Sequence, residues 1–136
     1  MVRFGGFSRP FRGFTICGDR FFVAEEDGMV VAAVVDGLGH GFESSVAAER
    51  AVEVIQEHAQ LSPEAIVLRC HEELKPTRGA AVGVLKLAAS GIGEFCGVGN
   101  IEVQSLAGRP PSLFCLAGIV GHNLRRAKSM PFRMEA

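Results

Sequence analysis

Asp19 and Asp36 are the two residues of this sequence whose type and spacing first suggest chemistry. They lie in apolar runs that are separated by Asp27-Gly28, the strongest short-range signal for a two-residue β-hairpin turn. Counting outward from such a turn places Asp19 directly opposite Asp36. The sequence therefore predicts two carboxylates on one face of an antiparallel strand pair, roughly 5 Å apart at Cβ.

Two like charges that face each other across neighbouring strands repel, and burial alone would push one of them to take up a proton. The predicted pairing gives neither carboxylate a Lys or Arg neighbour on that face. A divalent cation would relieve the repulsion, and oxygen-only ligands favour magnesium or manganese over zinc. The Gly37 carbonyl is a further candidate, so the predicted metal site contains Asp19, Asp36 and Gly37.

The glycine-rich segment from Asp36 to Gly41 leads from a strand into a predicted helix. Glycines allow close approach of the backbone to an ion, and the helix N-terminus beyond them attracts phosphate. The segment is not a dinucleotide-binding or P-loop motif, because Phe42 occupies the third glycine position and no Gly-Lys-Ser/Thr follows. His40 is a candidate catalytic general acid, with a surface loop histidine as the open alternative.

These residues also have a purely structural interpretation. An Asp that ends a strand before glycines is often only a turn former or a helix cap. Two carboxylates placed opposite each other by an independent turn signal favour the metal instead. Arg9, Arg12 and Arg78 are candidates for gripping a phosphate, although the sequence does not fix their direction.

The elements that must position these residues follow from hydrophobic periodicity and turn signals. The predicted order is two strands, two helices and a run of antiparallel strands, which indicates an α+β fold, an antiparallel β-sandwich flanked by helices. Phe21 and Val34, in the same column as the aspartates, are predicted to face the core. Ser62-Pro63 begins the second helix and Pro76 ends it. The predicted strands are 14–26, 29–36, 80–87, 93–98, 101–106 and 113–120, and the first helix is 43–60.

The composition and charge of the chain limit the classes of protein to which it can belong. The chain has 136 residues, 48% of them hydrophobic, and a formal net charge of −1, which indicates one globular domain over residues 1–136. This charge gives no basic field for nucleic acid. No apolar stretch approaches the roughly 20 residues that span a bilayer, and no signal peptide is recognisable, so we expect a cytoplasmic protein. The four cysteines form no C-x-x-C pair and are expected to be buried free thiols.

Several segments resemble the metal-dependent protein phosphatases, specifically the bacterial branch that contains SpoIIE and RsbX. The Asp-Gly-Leu-Gly-His-Gly element beside an upstream Gly-Asp is the most specific of them, and the pieces run in family order across almost the whole chain. The matching segments are Cys17-Gly18-Asp19, residues 34–41, residues 77–81, residues 95–100 and residues 118–121.

The resemblance implies a pair of manganese or magnesium ions in a cleft at one end of the sandwich. By motif, Asp36 would bridge the ions, the Gly37 carbonyl would bind one, and Asp19 would serve the other directly or through water. Metal-activated water would then remove phosphate from phosphoserine or phosphothreonine. In this branch the implied substrate is a phosphorylated regulator of a stress-signalling complex, of the STAS-domain type.

One departure from the family concerns the remaining metal ligands. The family completes its site with a further Asp-Gly element and usually another Asp, and this sequence has no Asp after Asp36. We therefore expect an incomplete metal site and a chain truncated at its C-terminus. Truncation would leave an unpaired sheet edge, which makes a homodimer one expected consequence. The alternative function is a non-catalytic module that keeps the fold and binds the same partner.

Overall fold

The computed structural model describes residues 2–106 and 112–134. Five strands form one antiparallel sheet in the order β1-β2-β3-β4-β5, and two helices pack on it. None of the helices in the described ranges has the length and apolar character needed to cross a membrane. The elements are β1 Asp19–Glu26, β2 Met29–Gly37, α1 Phe42–Glu57, α2 Pro63–Glu73, β3 Ala80–Ala88, β4 Ile92–Val98 and β5 Met130–Arg133.

The β1–β2 hairpin has the predicted turn and the predicted register. Asp27 and Gly28 both have positive φ, 51° and 76°, as a tight two-residue hairpin turn requires. Asp19 pairs with Asp36, as counting from the turn predicted. Strand β1 begins at Asp19 rather than at residue 14, and the residues before it form an irregular, largely exposed segment.

The hydrophobic core lies between the sheet and the two helices. On β2 the alternate residues Val31, Ala33 and Val35 are 0%, 4% and 1% exposed, and all three belong to the core cluster. The helices contribute small and branched side chains that recur at helical spacing. These core residues are Ala48, Ala51, Val54 and Ile55 from α1, and Ile66, Val67 and Cys70 from α2, followed by Leu74.

The predicted core column on the other face of the hairpin is wrong. Phe21 and Val34 remain 42% and 44% exposed, because the helices cover the opposite face of the sheet. Residues 29–35 are apolar on both sides of the strand, so this run carries no alternation that could select the helix-facing side. The aspartate pair therefore lies on the less covered face.

The helix ends are stabilised in two ways. The Ser62 hydroxyl accepts a hydrogen bond from the Ala65 amide, 3.2 Å, with Pro63 at the first helical position, as predicted for α2. Helix α1 has no basic residue in its last turn. Beyond it, the buried Lys86 ammonium of β3 donates to the carbonyls of Ala59 and Leu61, both at 2.9 Å.

The predicted α+β architecture is confirmed, but the strands after β4 differ from the prediction. Residues 101–106 form no strand, and residues 113–120 contribute only isolated bridges. Gly99, at φ 97°, turns the chain, and the Gly99 amide donates to the Leu116 carbonyl, 2.9 Å. Residues 113–120 and strand β5 contact the edge of β4 with which a hairpin partner would have paired. The periodicity of the sequence did not predict β5.

The cysteines are all free. Cys70 and Cys96 are buried, as predicted, and burial raises their pKa values to about 12 and about 11. Cys17 and Cys115 are only half-buried, which corrects the expectation for these two thiols.

Candidate metal centre

The two aspartates lie at one end of the sheet, where four strands begin or end. Strand β1 begins with Asp19, and Asp36 is next to the last residue of β2. Because the strands are antiparallel, the start of β3 and the end of β4 reach the same edge, so Ala81 pairs with Asp36. Antiparallel topology thus brings residues that are distant in the sequence to a single site.

Asp19 and Asp36 face each other across the two strands, and their side chains interact. Burial raises the pKa of Asp36, and the neighbouring Asp19 carboxyl raises it further. His40 and the Asn100 side chain lower the pKa of Asp36. The two carboxylates therefore repel each other when both are ionised, and a bound metal cation would relieve this repulsion.

Asn100 is a site residue that the sequence prediction missed. It lies between the predicted strands 93–98 and 101–106, whereas in the structure its side chain lies beside Asp36 and lowers the pKa of that carboxyl. Gly99 makes this contact possible because it passes close to β3, where a Cβ at Gly99 would lie 2.6 Å from the Ala81 side chain. The sequence signal that could have identified Asn100 is its position just beyond β4, a strand that ends at the same edge of the sheet as Asp36.

Arg20 is a second missed residue, and it holds the start of β1 in place. Its guanidinium donates to the Cys17 carbonyl at 2.6 Å and to the Asp19 carbonyl at 2.9 Å. It also contacts Glu49 of α1 at 3.4 Å. The charge thus stabilises the backbone beneath the aspartate without neutralising its carboxylate.

Gly37 lies where helix α1 meets the sheet. A Cβ on Gly37 would be 2.0 Å from the Ser44 carbonyl oxygen, and one on Gly18 would be 2.3 Å from the Ser44 hydroxyl. The Gly37 amide donates to the Gly18 carbonyl, 2.9 Å, and the next amide donates to Gly79, also 2.9 Å. Both glycines are therefore needed for close packing, and the ligand role of the Gly37 carbonyl stays a prediction.

His40 is held by aromatic side chains at the wall of the site. The loop that carries it relies on Gly39 and Gly41, with φ of 84° and 80°, a region that disfavours other residues. The His40 ring stacks on Phe11 with centroids 4.0 Å apart and an interplanar angle of 12°. Phe14 lies 5.5 Å away in a tilted arrangement. The geometry is that of a positioned histidine, and its catalytic role stays a prediction.

An open cavity of about 1050 Å³ connects these groups. Asp19, Asp36 and His40 form one part of its lining, and residues 7–12 form another. Arg9 and Arg12, two of the three arginines predicted as phosphate contacts, line the cavity. Arg78 does not line it and instead forms an ion pair with Glu43 beside the glycine loop.

The donor set fits a hard, partly hydrated divalent ion. Within the described residues, no cluster of three or more His, Cys, Asp or Glu side chains could hold a metal. The candidate ligands are therefore the carboxylates of Asp19 and Asp36 and the carbonyl of Gly37. Magnesium is commonly bound through one or two carboxylates and keeps several waters, whereas structural zinc requires four protein ligands.

Solved structures identify the class of this fold. A crystal structure of RsbX in complex with magnesium matches with a TM-score of 0.84 and 26% identity, over 95% of this chain and 66% of that one. A chain from a study of the bacterial stressosome, a modular system adapted to control secondary messenger signalling, matches with a TM-score of 0.83 and 29% identity. That match covers 93% of this chain and 68% of the other. The fold is that of the metal-dependent protein phosphatases.

Sequence comparison gives a relative within that class. Phosphoserine phosphatase RsbX of Bacillus subtilis (strain 168) is 33% identical over 91 residues, which cover 66% of this chain. The aligned residues cover 46% of RsbX, so the chain spans about half the length of this relative. No family model matches the chain. By sequence the chain is related to RsbX, and its fold is shared with the metal-dependent protein phosphatases.

Proposed function

We propose that residues 1–136 act as one domain of a metal-dependent phosphoserine/phosphothreonine protein phosphatase. The observation that carries the proposal is the pair of facing carboxylates, Asp19 and Asp36, in an open cavity at the end of the sheet. The relationship to phosphoserine phosphatase RsbX supports the reaction class. We further propose that the metal is magnesium or manganese, a choice supported by the oxygen-only donors.

Different residues of the chain would bind the metal, orient the groups around it and transfer a proton. When bound, the divalent metal would supply Lewis-acid activation of a water and neutralise phosphate charge. Asp19 and Asp36 would bind the metal, and the Asn100 side chain beside Asp36 would favour the ionised carboxylate that the metal needs. His40, held against Phe11, would donate a proton to the serine or threonine oxygen as its bond to phosphorus breaks.

The proposed substrate is a phosphorylated regulator in a cytoplasmic stress-signalling assembly, of the STAS-domain type. The stressosome context of one structural neighbour and the kinship with RsbX support this class of partner. The resemblance of residues 34–41 to the corresponding phosphatase element supports it further. The proposal includes a homodimer as the form in which the chain could act.

Calorimetric titration with manganese tests the metal pair. We expect binding by the unaltered chain and its loss in Asp19→Asn and in Asp36→Asn, because each substitution removes an anionic ligand. Asp27→Asn is the matched control, since Asp27 lies in the turn at the far end of the same hairpin and Asn tolerates its positive φ of 51°. Equal manganese affinity in all four proteins would exclude the aspartate pair as the metal site.

Hydrolysis of an aryl phosphate with millimolar manganese tests the enzyme proposal on the same samples. We expect turnover that disappears with Asp36→Asn.

The second candidate function, a non-catalytic partner-binding module, is favoured by the absence of a third acidic ligand among the described residues. Binding of a phosphorylated regulator without turnover would support that second function and contradict the first.

A further inference from the structure

Residues 7–12, here called the N-terminal wall, form one side of the cavity that contains the aspartates. The wall has no regular secondary structure and is exposed along its length. It belongs to the irregular segment that precedes β1, where the sequence had predicted the beginning of a strand. Its side chains therefore line the same cavity as the carboxylates of Asp19 and Asp36.

The N-terminal wall is attached to the rest of the site at several points. The Phe11 ring stacks on His40 at 4.0 Å, and the Phe14 amide donates to the Phe11 carbonyl at 2.9 Å. The Cys17 thiol donates to the Arg9 carbonyl at 3.0 Å. These contacts hold the backbone of the wall against the glycine loop, so its side chains are presented in a defined place.

The charge on this segment is entirely positive. Residues 2–18 contain Arg3, Arg9 and Arg12 and no acidic residue. Within the described parts of the chain, the guanidinium groups of Arg9 and Arg12 contact neither a carboxylate nor a carbonyl, in contrast to Arg20 and Arg50, which are paired. Two uncompensated cations thus line the cavity beside the metal centre.

Exposed aromatic side chains lie beside these charges. Phe7 is 84% exposed and Phe11 is 58% exposed, although both line the cavity. Large apolar side chains grouped at the rim of a site mark a contact surface for another molecule. Arginine pairs well with carboxylates, and aromatic rings contribute contact area, so this combination fits an acidic polypeptide that also carries apolar residues.

We propose that the N-terminal wall binds the substrate polypeptide beside the phosphorylated residue, with Arg9 and Arg12 selecting acidic flanking residues. The inference rests on the proposed phosphatase function and adds the sequence class of the substrate. The same cavity holds the carboxylates of Asp19 and Asp36, which disfavour a polyanion that lies across the whole site. A phosphorylated segment would instead place only its phosphate at the metal and its acidic flanking residues at the N-terminal wall.

Fluorescence anisotropy with labelled phosphoserine peptides tests this inference without requiring turnover. Two peptides would differ only in flanking residues, Asp and Glu in one and Lys in the other, and would be titrated with the whole chain and magnesium. We expect the acidic peptide to bind about fivefold to tenfold more tightly, because each exposed charge pair contributes modestly. The preference should diminish as salt is raised.

Charge reversal provides the matched comparison. The Arg9→Glu/Arg12→Glu variant should abolish or invert the flank preference, because its charges then repel the acidic peptide. Arg125→Glu/Arg126→Glu makes the same charge change at two exposed arginines outside the cavity lining and should retain the preference. Equal affinities of the unaltered chain for both peptides, or equal loss of preference in both variants, would overturn the inference.

Two further measurements distinguish a failure of the proposed role of the wall from a failure of the proposed phosphatase function. An unlabelled single-stranded oligonucleotide that displaces the acidic peptide at equal charge concentration would make the wall a general polyanion site and overturn the inference. Aryl phosphate turnover by the unaltered chain reports the proposed phosphatase activity separately. Turnover without flank preference would contradict only the role of the wall, and flank preference without turnover would contradict only the enzymatic proposal.

Discussion

The two faces of the sheet differ in role, because one forms the hydrophobic core and the other carries the candidate metal site. On β2, Val35 is 1% exposed beneath the helices, whereas its neighbour Val34 is 44% exposed on the other side. The covered face consists of interlocking apolar side chains, and the other face carries Asp19 and Asp36 at its end. The difference teaches that a repelling carboxylate pair is tolerated where packing contributes least to folding.

The largest expected effect comes from breaking the covered face. Val35→Ala should lower the free energy of unfolding by about 2–3 kcal/mol, because it removes buried methyl groups and leaves a cavity. Val34→Ala, the matched change on the other face, should cost less than about 0.5 kcal/mol. Urea unfolding of both variants measures the difference, and equal losses would show that the two faces are packed alike.

A smaller effect is expected from the Lys86 ammonium, which is buried on the covered face. Lys86→Met should cost about 1–2 kcal/mol, since it leaves the Ala59 and Leu61 carbonyls without their donor. Lys75→Met removes an exposed pair with Glu72 and should cost less than about 0.5 kcal/mol. Thermal unfolding compares the two, and a stable Lys86→Met protein would mean that water replaces the ammonium.

The smallest effect concerns the less covered face and has the opposite sign. Without metal, Asp36→Asn should raise the free energy of unfolding at neutral pH by up to about 1 kcal/mol, because it relieves the repulsion with Asp19. Thermal unfolding in the presence of a chelator measures the change. Asp27→Asn, in the turn of the same hairpin, controls for the loss of one negative charge, and an unchanged melting temperature for Asp36→Asn would show that the pair is not repulsive.

The same pair predicts a pH dependence. The pKa of Asp36 is raised in the folded state, first by burial and then by Asp19. The folded chain therefore holds this proton at pH values where the unfolded chain has lost it, so stability falls as pH rises from about 4. Unfolding of the metal-free chain at a series of pH values should follow this trend, and Asp36→Asn should flatten it; a steeper dependence in the variant would contradict the assignment.

Local signals in the sequence were sufficient for the hairpin and the helices. Asp27-Gly28 defined the turn, and the turn defined the pairing of Asp19 with Asp36. Ser62-Pro63 defined the start of α2. Such signals work because they act over a few residues, where backbone geometry and capping hydrogen bonds are independent of the rest of the chain.

The errors arose where an apolar run or a turn signal has more than one possible partner. The run around Val34 is apolar on both sides, and only the position of the helices decides which side is buried. Gly99-Asn100 has the residues of a hairpin turn, yet the edge of β4 pairs with segments more than fifteen residues further along, including β5. Competition between partners that are distant in sequence cannot be read from local periodicity.

The sequence by itself determined the chemistry available at the site, namely two facing aspartates, a glycine loop and a histidine next to them. The tertiary structure alone decided that Asn100 reaches Asp36, that Phe11 stacks on His40, and that Arg9 and Arg12 share the cavity. Turn chemistry is local and therefore legible in the sequence. Contacts between an irregular segment and a distant loop depend on the packing of the whole sheet, and only the folded chain specifies them.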